Sequence, residues 1–166
     1  SAQDCVNWLP LAAERPGGRS PSMLQDMPGL VRFASAGTSV CRGLHNAEGQ
    51  LFAVFGTTLY QVNNDYSLST LGTIPGTRRV SMAHNQITLG NEVVIDNGTD
   101  GWTYNTVTDS FAKITDTSFP GGIVCDYIDS YIAHVEPQGR FWFHSDLADA
   151  RQYISTDRYE SEVAPD

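Results

Sequence analysis

The sequence has few basic residues, with ten Lys and Arg against 19 Asp and Glu, and a formal net charge of −9. A surface that binds nucleic-acid phosphates needs clustered Lys and Arg. Here the basic residues are scattered, and only Arg78 and Arg79 are adjacent. We therefore expect no direct sequence-specific nucleic acid binding. Anionic membranes also attract basic clusters, so we expect no membrane binding either.

Long apolar runs and cysteines are scarce as well. No stretch of 18 apolar residues predicts a membrane span, and Ser1–Asp4 lacks the basic start of a signal peptide. The three cysteines, Cys5, Cys41 and Cys125, cannot all pair within one chain. Cys41 and Cys125 lie in apolar stretches, where a free cysteine behaves as a small buried hydrophobe. We expect both to be buried free thiols with a reduced, cytoplasmic history.

Motifs of catalysis and cofactor binding are missing too. The sequence contains no GxGxxG or GxxxxGK[ST] phosphate loop and no GxSxG nucleophile elbow. No HxH or HxxxH spacing supports a zinc site among the four histidines, which are His45, His84, His134 and His144. We predict no enzyme activity, no catalytic, cofactor-binding or metal-binding residues, and no cofactor.

One oxygen-rich stretch, Asp96–Gly101, has donors at several positions and a glycine sixth, like a calcium loop. The twelfth position from Asp96 is Val107, where such a loop needs a bidentate Glu. We therefore interpret Asp96–Gly101 as a glycine-rich hairpin turn.

The sequence does contain a hairpin pattern that recurs three times. Two apolar or aromatic runs flank a turn over Leu51–Asn63, Glu92–Tyr104 and Tyr131–Phe143. A short apolar strand precedes each hairpin: Val40–Leu44, Val80–His84 and Ile123–Tyr127. From Val40 to Val80 is 40 residues and from Val80 to Val124 is 44. The first two hairpins are followed by a fourth candidate strand, Leu68–Ile74 and Phe111–Ile114.

Four short strands in about 40 to 45 residues have the size of one propeller blade. We predict an all-β, propeller-like fold of about three blades, each an antiparallel four-stranded sheet. The alternative is an antiparallel sandwich with evenly spaced strands. Because closure takes at least four blades, we interpret the chain as a fragment of a larger propeller; an oligomer that supplies the missing edges is the other solution.

The predicted domains follow this repeat. Residues 1–37 form an extended leader, irregular over 1–30, with a first strand at Val31–Ala34; 38–78 form blade 1, 79–122 blade 2, and 123–166 a partial blade 3 with a tail. Within blade 3, Asp146–Arg151 is interpreted as a helical turn. Gln152–Ser155 completes the sheet in this interpretation, and 157–166 is loop. Trp8, Trp102, Trp142 and the tyrosines could form a carbohydrate platform, but we interpret them as large residues that fill the space between sheets.

Three stretches resemble a known family: Asn7–Pro10 with Met27–Leu30, Arg79–His84, and Trp142–Leu147 running on to Asp157–Tyr159 and the final Pro165-Asp166. Together they resemble the packaged-DNA stabilisation protein, or tail hub, of short-tailed bacteriophages. The likeness corresponds to the amino-terminal third or so of such a protein. Arg79–His84 is its most specific part.

The resemblance implies a propeller-like virion protein without catalysis. Such hubs assemble as a ring beneath the portal, close the exit channel after packaging, and offer a seat for the tail needle and tailspike proteins. The expected location is the virion tail, and the host cytoplasm during assembly. Two other classes remain open: a carbohydrate-binding or glycoside-acting propeller, and a host-encoded scaffold propeller.

Overall fold

The structure, a computed structural model, describes residues 8–12, 22–26, 29, 31–37, 39–86 and 92–160. The chain divides into two compact units, residues 1–33 and 34–166. All regular secondary structure in the described residues is β-strand, in four antiparallel sheets. Within them, no helix has the length and apolar character needed to cross a bilayer.

The first unit contains a two-stranded antiparallel sheet. Strand β1 is Trp8–Ala12 and strand β2 is Ser22–Asp26, with Trp8 opposite Asp26 and Ala12 opposite Ser22. The prediction of an irregular leader is wrong for these two segments. Proline is tolerated in edge strands, and a two-stranded sheet has only edge strands, so Pro10 does not prevent pairing.

The predicted first strand, Val31–Ala34, is also wrong. Residues 31–36 have no regular secondary structure, and Val31 is 90% exposed. Alternating apolar residues indicate a strand only where a neighbouring strand receives the backbone hydrogen bonds. This segment belongs to none of the four sheets that the structure describes.

The second unit contains three four-stranded antiparallel sheets, each with its strands in sequence order. The first sheet consists of β3 (Cys41–Ala47), β4 (Gln50–Phe55), β5 (Thr58–Val62) and β6 (Leu68–Thr73). The second consists of β7 (Ser81–His84), β8 (Glu92–Asp96), β9 (Gly101–Asn105) and β10 (Ser110–Lys113). The third consists of β11 (Val124–Ile128), β12 (Tyr131–Val135), β13 (Phe141–Asp146) and β14 (Asp149–Glu160).

The three predicted hairpins are confirmed as β4–β5, β8–β9 and β12–β13. Local chemistry sets their turns. Gly56, at φ +57°, follows β4, and Gly139, at φ +71°, lies in the turn before β13. Both angles fall in the left-handed region that glycine adopts without strain.

The sheets stack face to face, and the first strands β3, β7 and β11 are neighbours. One apolar cluster lies between the first and second sheets, and another lies mainly between the second and third. Neighbouring first strands and stacked meanders are the arrangement of propeller blades around an axis. The fold is therefore all-β and propeller-like; the blade boundaries at 78/79 and 122/123 stay a prediction.

The end of the third sheet differs from the sequence-based interpretation. Asp146–Arg151 is a hairpin with Leu147-Ala148 at its turn, where Ala148 has φ +55°, and not a helical turn. Of these six residues only Ala150 is buried, so one helical turn would have no apolar face to pack. Strand β14 continues to Glu160, so the prediction of loop is also wrong for 157–160; residues 161–166 lie outside the described part.

Candidate functional site: the sheet interfaces and the outer face of the third sheet

The interface between the first and second sheets is apolar. Its side chains come from alternate positions of β4 and β8, because successive residues of a strand point to opposite faces. They include Phe52 and Val54 of the first sheet and Val93 and Ile95 of the second, all fully buried. The Phe52 and Tyr104 rings lie 5.6 Å apart in a tilted contact. This interface holds the two sheets together by apolar burial.

One buried cation, Arg42, fixes the connection between these two sheets. Its Nε donates to the carbonyl oxygen of Arg78 at 2.6 Å. Its Nη1 donates to Gly56 and Ile74, both at 2.8 Å, and Nη2 donates to Pro75 at 3.0 Å. Burial lowers the pKa of Arg42 from its ordinary value. A guanidinium with donors in a fixed fork suits several carbonyls at once, so Arg42 is a structural clamp.

The interface between the second and third sheets contains buried ionisable groups. Asp96 ends β8, and its Oδ2 lies 2.8 Å from Nδ1 of His134 in β12, with both side chains fully buried. The His134 Nε2 lies 3.0 Å from the hydroxyl of Tyr153 in β14. Phe143 stacks on the imidazole, with ring centroids 4.9 Å apart. These contacts join strands of two sheets through side chains.

Cys125 of β11 lies beside this group. Possible ligand atoms of Asp96, Cys125 and His134 all lie within 4.8 Å of one another. Burial and then the Asp96 carboxylate raise the pKa of the Cys125 thiol, and the same two causes raise the pKa of Tyr153. In the described residues, Asp96 Oδ1 has no hydrogen-bond partner.

Glu92 makes a second polar connection between the same two sheets. Its Oε2 accepts hydrogen bonds from Asn85 Nδ2 at 3.1 Å and from the backbone nitrogen of Ala150 at 2.9 Å. The guanidinium of Arg151 lies 3.4 Å from its Oε1. A buried carboxylate with this many donors is satisfied inside the fold, so Glu92 is structural.

A pair of histidines joins the inner strands of the first two sheets. His45 Nε2 in β3 lies 2.9 Å from His84 Nδ1 in β7. Glu48 lies 3.8 Å from His84 Nε2. Burial lowers the pKa of His45, the neighbouring His84 lowers it further, and Asp126 acts in the opposite direction. Both histidines are half-buried.

The outer face of the third sheet, defined by Tyr131, Trp142, His144 and Tyr159, carries partly exposed aromatic rings. Trp142 is 43% exposed and stacks on Tyr159, which is 41% exposed, with centroids 4.4 Å apart. His144 stacks on Tyr159 at 6.0 Å and meets Tyr131 edge to face at 4.8 Å. Contiguous aromatic surface of this kind is typical of a protein contact.

Ion pairs hold the far end of this sheet. Arg158 Nη2 donates to Glu136 Oε2 at 2.7 Å, and its guanidinium lies 3.9 Å from the centre of the Phe141 ring. Arg140 Nε donates to Glu160 Oε1 at 2.6 Å. The pairs join β14 to the turn between β12 and β13.

The structure corrects one prediction about the cysteines and one about the tryptophans. Cys125 is buried, as predicted, but Cys41 is exposed. A register shift between Cys41 and Gly43 interrupts the pairing of β3 with β4 and re-aims the side chain. Trp102 packs in the core, whereas Trp142 does not fill space between the described sheets. Cys5 and the Trp8 side chain lie outside the described residues.

The interpretation of Asp96–Gly101 as a hairpin turn is confirmed. The Asn97 nitrogen donates to the carbonyl of Asp100 at 3.1 Å. Its side-chain oxygen accepts from the nitrogens of Thr99 and Asp100 at 3.0 and 2.8 Å. These are local bonds that close a turn. The sequence did not reveal that Asp96 points between two sheets, because its partner His134 lies far along the chain.

An open cleft of about 500 Å³ lies beside β10 and β14 and includes Asp116 and Asp149 in its lining. Asp116 accepts from the nitrogens of Ser118 at 2.7 Å and Tyr153 at 3.1 Å. Asp149 accepts from the Arg151 nitrogen at 2.9 Å. The carboxylates of this cleft are therefore bound to the backbone around them.

Comparison with known proteins gives one result that covers nearly the whole chain. The family described as "Bacteriophage P22 Gp10, beta-propeller" matches residues 2–166. Among curated proteins nothing matches. One chain of a structure titled "Crystal Structure of Mitotic Checkpoint Complex" is similar, with a TM-score of 0.49 and 12% sequence identity. The similarity covers 89% of this chain, which spans about half (50%) of that chain.

Proposed function

The chain belongs to the bacteriophage P22 Gp10 beta-propeller family, and from this membership we propose that it is a non-enzymatic part of a phage head-completion complex. In this function it closes the portal channel and retains packaged DNA in the virion tail. The family match over residues 2–166 carries the proposal. Its partners are the portal or tail adaptor, the tail needle and the tailspike proteins, with copies of itself in a ring.

The charge of the chain supports confinement of DNA without a grip on it. Because the chain has a net charge of −9, a channel lined by this protein repels DNA phosphates. Weak binding to DNA suits a protein that closes the channel but must let the genome pass when DNA is ejected. Retention is then steric. Many modest protein contacts around a symmetric ring add up to a stable closure.

The outer face of the third sheet supports a role in assembly. Trp142 and Tyr159 present a stacked aromatic surface, and Tyr and Trp are enriched where protein interfaces are fully buried. The described residues of the second unit form three four-stranded sheets, whereas four to eight blades close a propeller. We propose that the chain is part of a longer protein, called the parent protein here, which supplies a further sheet of the same propeller.

The chemistry of three described polar groups supports a function without catalysis. Arg42 and Asp116 form hydrogen bonds with backbone groups of the fold, and Glu92 accepts from the backbone of Ala150 and the side chain of Asn85. A catalytic carboxylate instead needs a free lone pair or proton aimed at a substrate. The contacts of these three residues stabilise the fold.

The experiment is deletion of the parent gene from the phage that carries it. Heads should fill with DNA and then lose it, which nuclease sensitivity of the DNA in purified heads measures. Adding the purified parent protein to freshly filled heads should restore protection. Heads that stay nuclease-resistant without the protein would contradict the proposal, as would heads that never fill.

A matched pair of variants tests the assembly surface. Trp142→Ala removes the exposed stack on Tyr159, whereas Lys113→Ala removes an exposed ion pair to Asp100 elsewhere on the chain. The first should weaken protection of the DNA, and the second should not. If the two variants protect the DNA in the heads equally well, the outer face of the third sheet has no role in assembly.

A carbohydrate-binding function is the second candidate, and the Trp142–Tyr159 stack favours it, because sugar rings also lie against exposed aromatic faces. Titration with a panel of oligosaccharides, followed by the fluorescence of the tryptophans, tests it. Quenching in the parent protein that Trp142→Ala abolishes would support sugar binding. Fluorescence that does not change on addition of any oligosaccharide would contradict sugar binding.

A further inference from the structure

Three side chains with metal-binding atoms meet between the second and third sheets. Asp96 comes from β8, Cys125 from β11 and His134 from β12, and all three are buried. Their carboxylate oxygen, thiol sulfur and imidazole nitrogen lie within 4.8 Å of one another. These are the three ligand types that bind zinc in proteins.

The hydrogen bonds around His134 allow a tautomer that can bind a metal ion. The Tyr153 hydroxyl lies 2.9 Å from the carbonyl oxygen of Ala150 and 3.0 Å from His134 Nε2. When this hydroxyl donates to Ala150, its oxygen accepts from Nε2–H, and Nδ1 of the neutral imidazole is a lone pair. Asp96 Oδ2 lies 2.8 Å from Nδ1, so in this tautomer both groups present electron pairs that a cation beside them would stabilise.

A second observation favours a metal ion beside this pair over a proton alone. A proton on Nδ1 satisfies Asp96 Oδ2 but leaves Oδ1, which is buried without a hydrogen-bond partner among the described residues. Burial of a charged oxygen without a partner is costly. A divalent ion beside the carboxylate neutralises both oxygens and also accounts for the thiol at the same place.

We propose that Asp96, Cys125 and His134 bind one zinc ion between the second and third sheets. The carboxylate, a thiolate and a neutral imidazole carry two negative charges, which Zn²⁺ balances in a buried site. The thiol proton of Cys125 leaves to solvent when the metal binds. Tyr153 is a positioning residue, because its oxygen holds Nε2–H and turns Nδ1 toward the metal.

This site goes beyond the proposed function, since it would cross-link two sheets whether or not the protein closes a portal. Its ligands come from three different strands, so they show none of the short spacings that identify zinc sites in a sequence. That is why the sequence predicted no metal. Ser81 of β7 exchanges hydrogen bonds with the backbone of Cys125, at 3.1 Å to its nitrogen and 3.3 Å to its oxygen, and so fixes this strand beside the second sheet.

The first test is the metal content of the purified chain. After exposure to zinc and removal of the free ion, elemental analysis should find one zinc per chain in the wild type. Cys125→Ser should lose most of it, whereas Cys41→Ser, at the exposed cysteine, should keep it. A wild type without bound zinc would overturn the proposal, and so would zinc retained equally by both variants.

A spectroscopic measurement on the unaltered chain covers the case in which Cys125→Ser does not fold. Cobalt(II) in place of zinc should give a thiolate-to-cobalt charge-transfer band and the visible absorption of tetrahedral coordination. Cobalt that binds without the charge-transfer band excludes Cys125 as a ligand. No cobalt absorption leaves a proton between His134 and Asp96, and the proposal fails.

Tyr153→Phe tests the positioning role. The substitution removes the hydroxyl that contacts His134 Nε2 but keeps the aromatic ring, whose centroid lies 5.7 Å from that of Phe143. We expect zinc affinity about 10- to 100-fold weaker, the usual cost of removing an outer-shell partner. Competition with a coloured chelator measures it. Unchanged affinity would show that Tyr153 serves only the packing.

Discussion

Each of the two sheet interfaces of the second unit contains an apolar cluster, but the second also contains buried ionisable groups. Strand β8 lies between them and serves both: Ile95 points into the apolar cluster with the first sheet, and the next residue, Asp96, points toward the third. The first interface gains its stability from area and packing. The second adds to its own apolar cluster a few buried polar atoms that each need a specific partner. We therefore expect substitutions of similar size to lower the free energy of unfolding by different amounts at the two interfaces.

The difference concerns specificity as well as stability. Apolar faces tolerate small shifts, because many weak contacts replace one another. A buried carboxylate opposite an imidazole does not, because a shift leaves a charge without a partner. We infer that the second interface fixes the register of the third sheet, whereas the first mainly supplies stability.

The largest effect is expected at the polar interface. His134→Ala removes the group opposite Asp96 and leaves a buried carboxylate without its imidazole partner. The free energy of unfolding should fall by about 3 to 5 kcal/mol, the usual cost of breaking a buried charged pair. Urea denaturation followed by tryptophan fluorescence measures it.

His144→Ala is the matched control, since the half-buried His144 lies on the outer face of the same sheet. It should cost about 1 kcal/mol or less, the range of substitutions away from buried networks. Similar losses in the two variants would mean that the pair with Asp96 contributes nothing specific.

The next effect belongs to the clamp at the edge of the apolar interface. Arg42→Lys keeps the charge but replaces the fork that reaches Gly56, Ile74, Pro75 and Arg78 with one ammonium. We expect a loss of about 1.5 to 3 kcal/mol, the value of hydrogen bonds to a charged group. Urea denaturation is again the measurement. A variant as stable as the wild type would show that one ammonium replaces the fork.

A smaller effect is expected inside the apolar interface. Ile95→Val removes one methylene from a fully buried side chain, next to Asp96 in the same strand. The loss should be about 0.5 to 1.5 kcal/mol. Thermal and urea unfolding of Ile95→Val and His134→Ala compare the two sides of strand β8, since Ile95 faces the first sheet and Asp96, the partner of His134, faces the third. A loss as large as that of His134→Ala would erase the distinction between the interfaces.

The sequence predicted the part of the fold that local chemistry determines. Alternating apolar residues around short turns, as in Leu51–Asn63, define a hairpin without help from the rest of the chain. Because the hairpin recurs at a nearly constant spacing, the stacking of sheets could be predicted too. The leader could not be predicted in this way, because the prolines and glycines between β1 and β2 indicate loop and no local pattern reveals that the two segments pair.

The polar interface lay beyond sequence reasoning for a related reason. Asp96 stands at the start of a turn and looks like a turn residue, and His134 shows no metal-type spacing. Their contact depends on how the second and third sheets stack, which no local pattern encodes. Cys41 was placed wrongly because a bulge in β3 redirects one side chain while the apolar pattern continues. Irregularities in register and contacts between sheets are decided by tertiary structure.

The smallest expected effect is a loss of stability on acidification, which we attribute to His45 in strand β3 and not to the two buried interfaces. His45 has a lowered pKa because of burial and of His84, partly opposed by Asp126, with Glu48 beside His84. The unfolded chain therefore takes up a proton near the ordinary value of 6.5, while the folded chain still resists it. This contribution to stability is complete above that value and is lost as the pH falls below it. Unfolding in urea at about pH 7.5 and about pH 5.5 should show a smaller acid-induced loss for His45→Gln than for the wild type. An unchanged loss would place the acid sensitivity elsewhere in the fold.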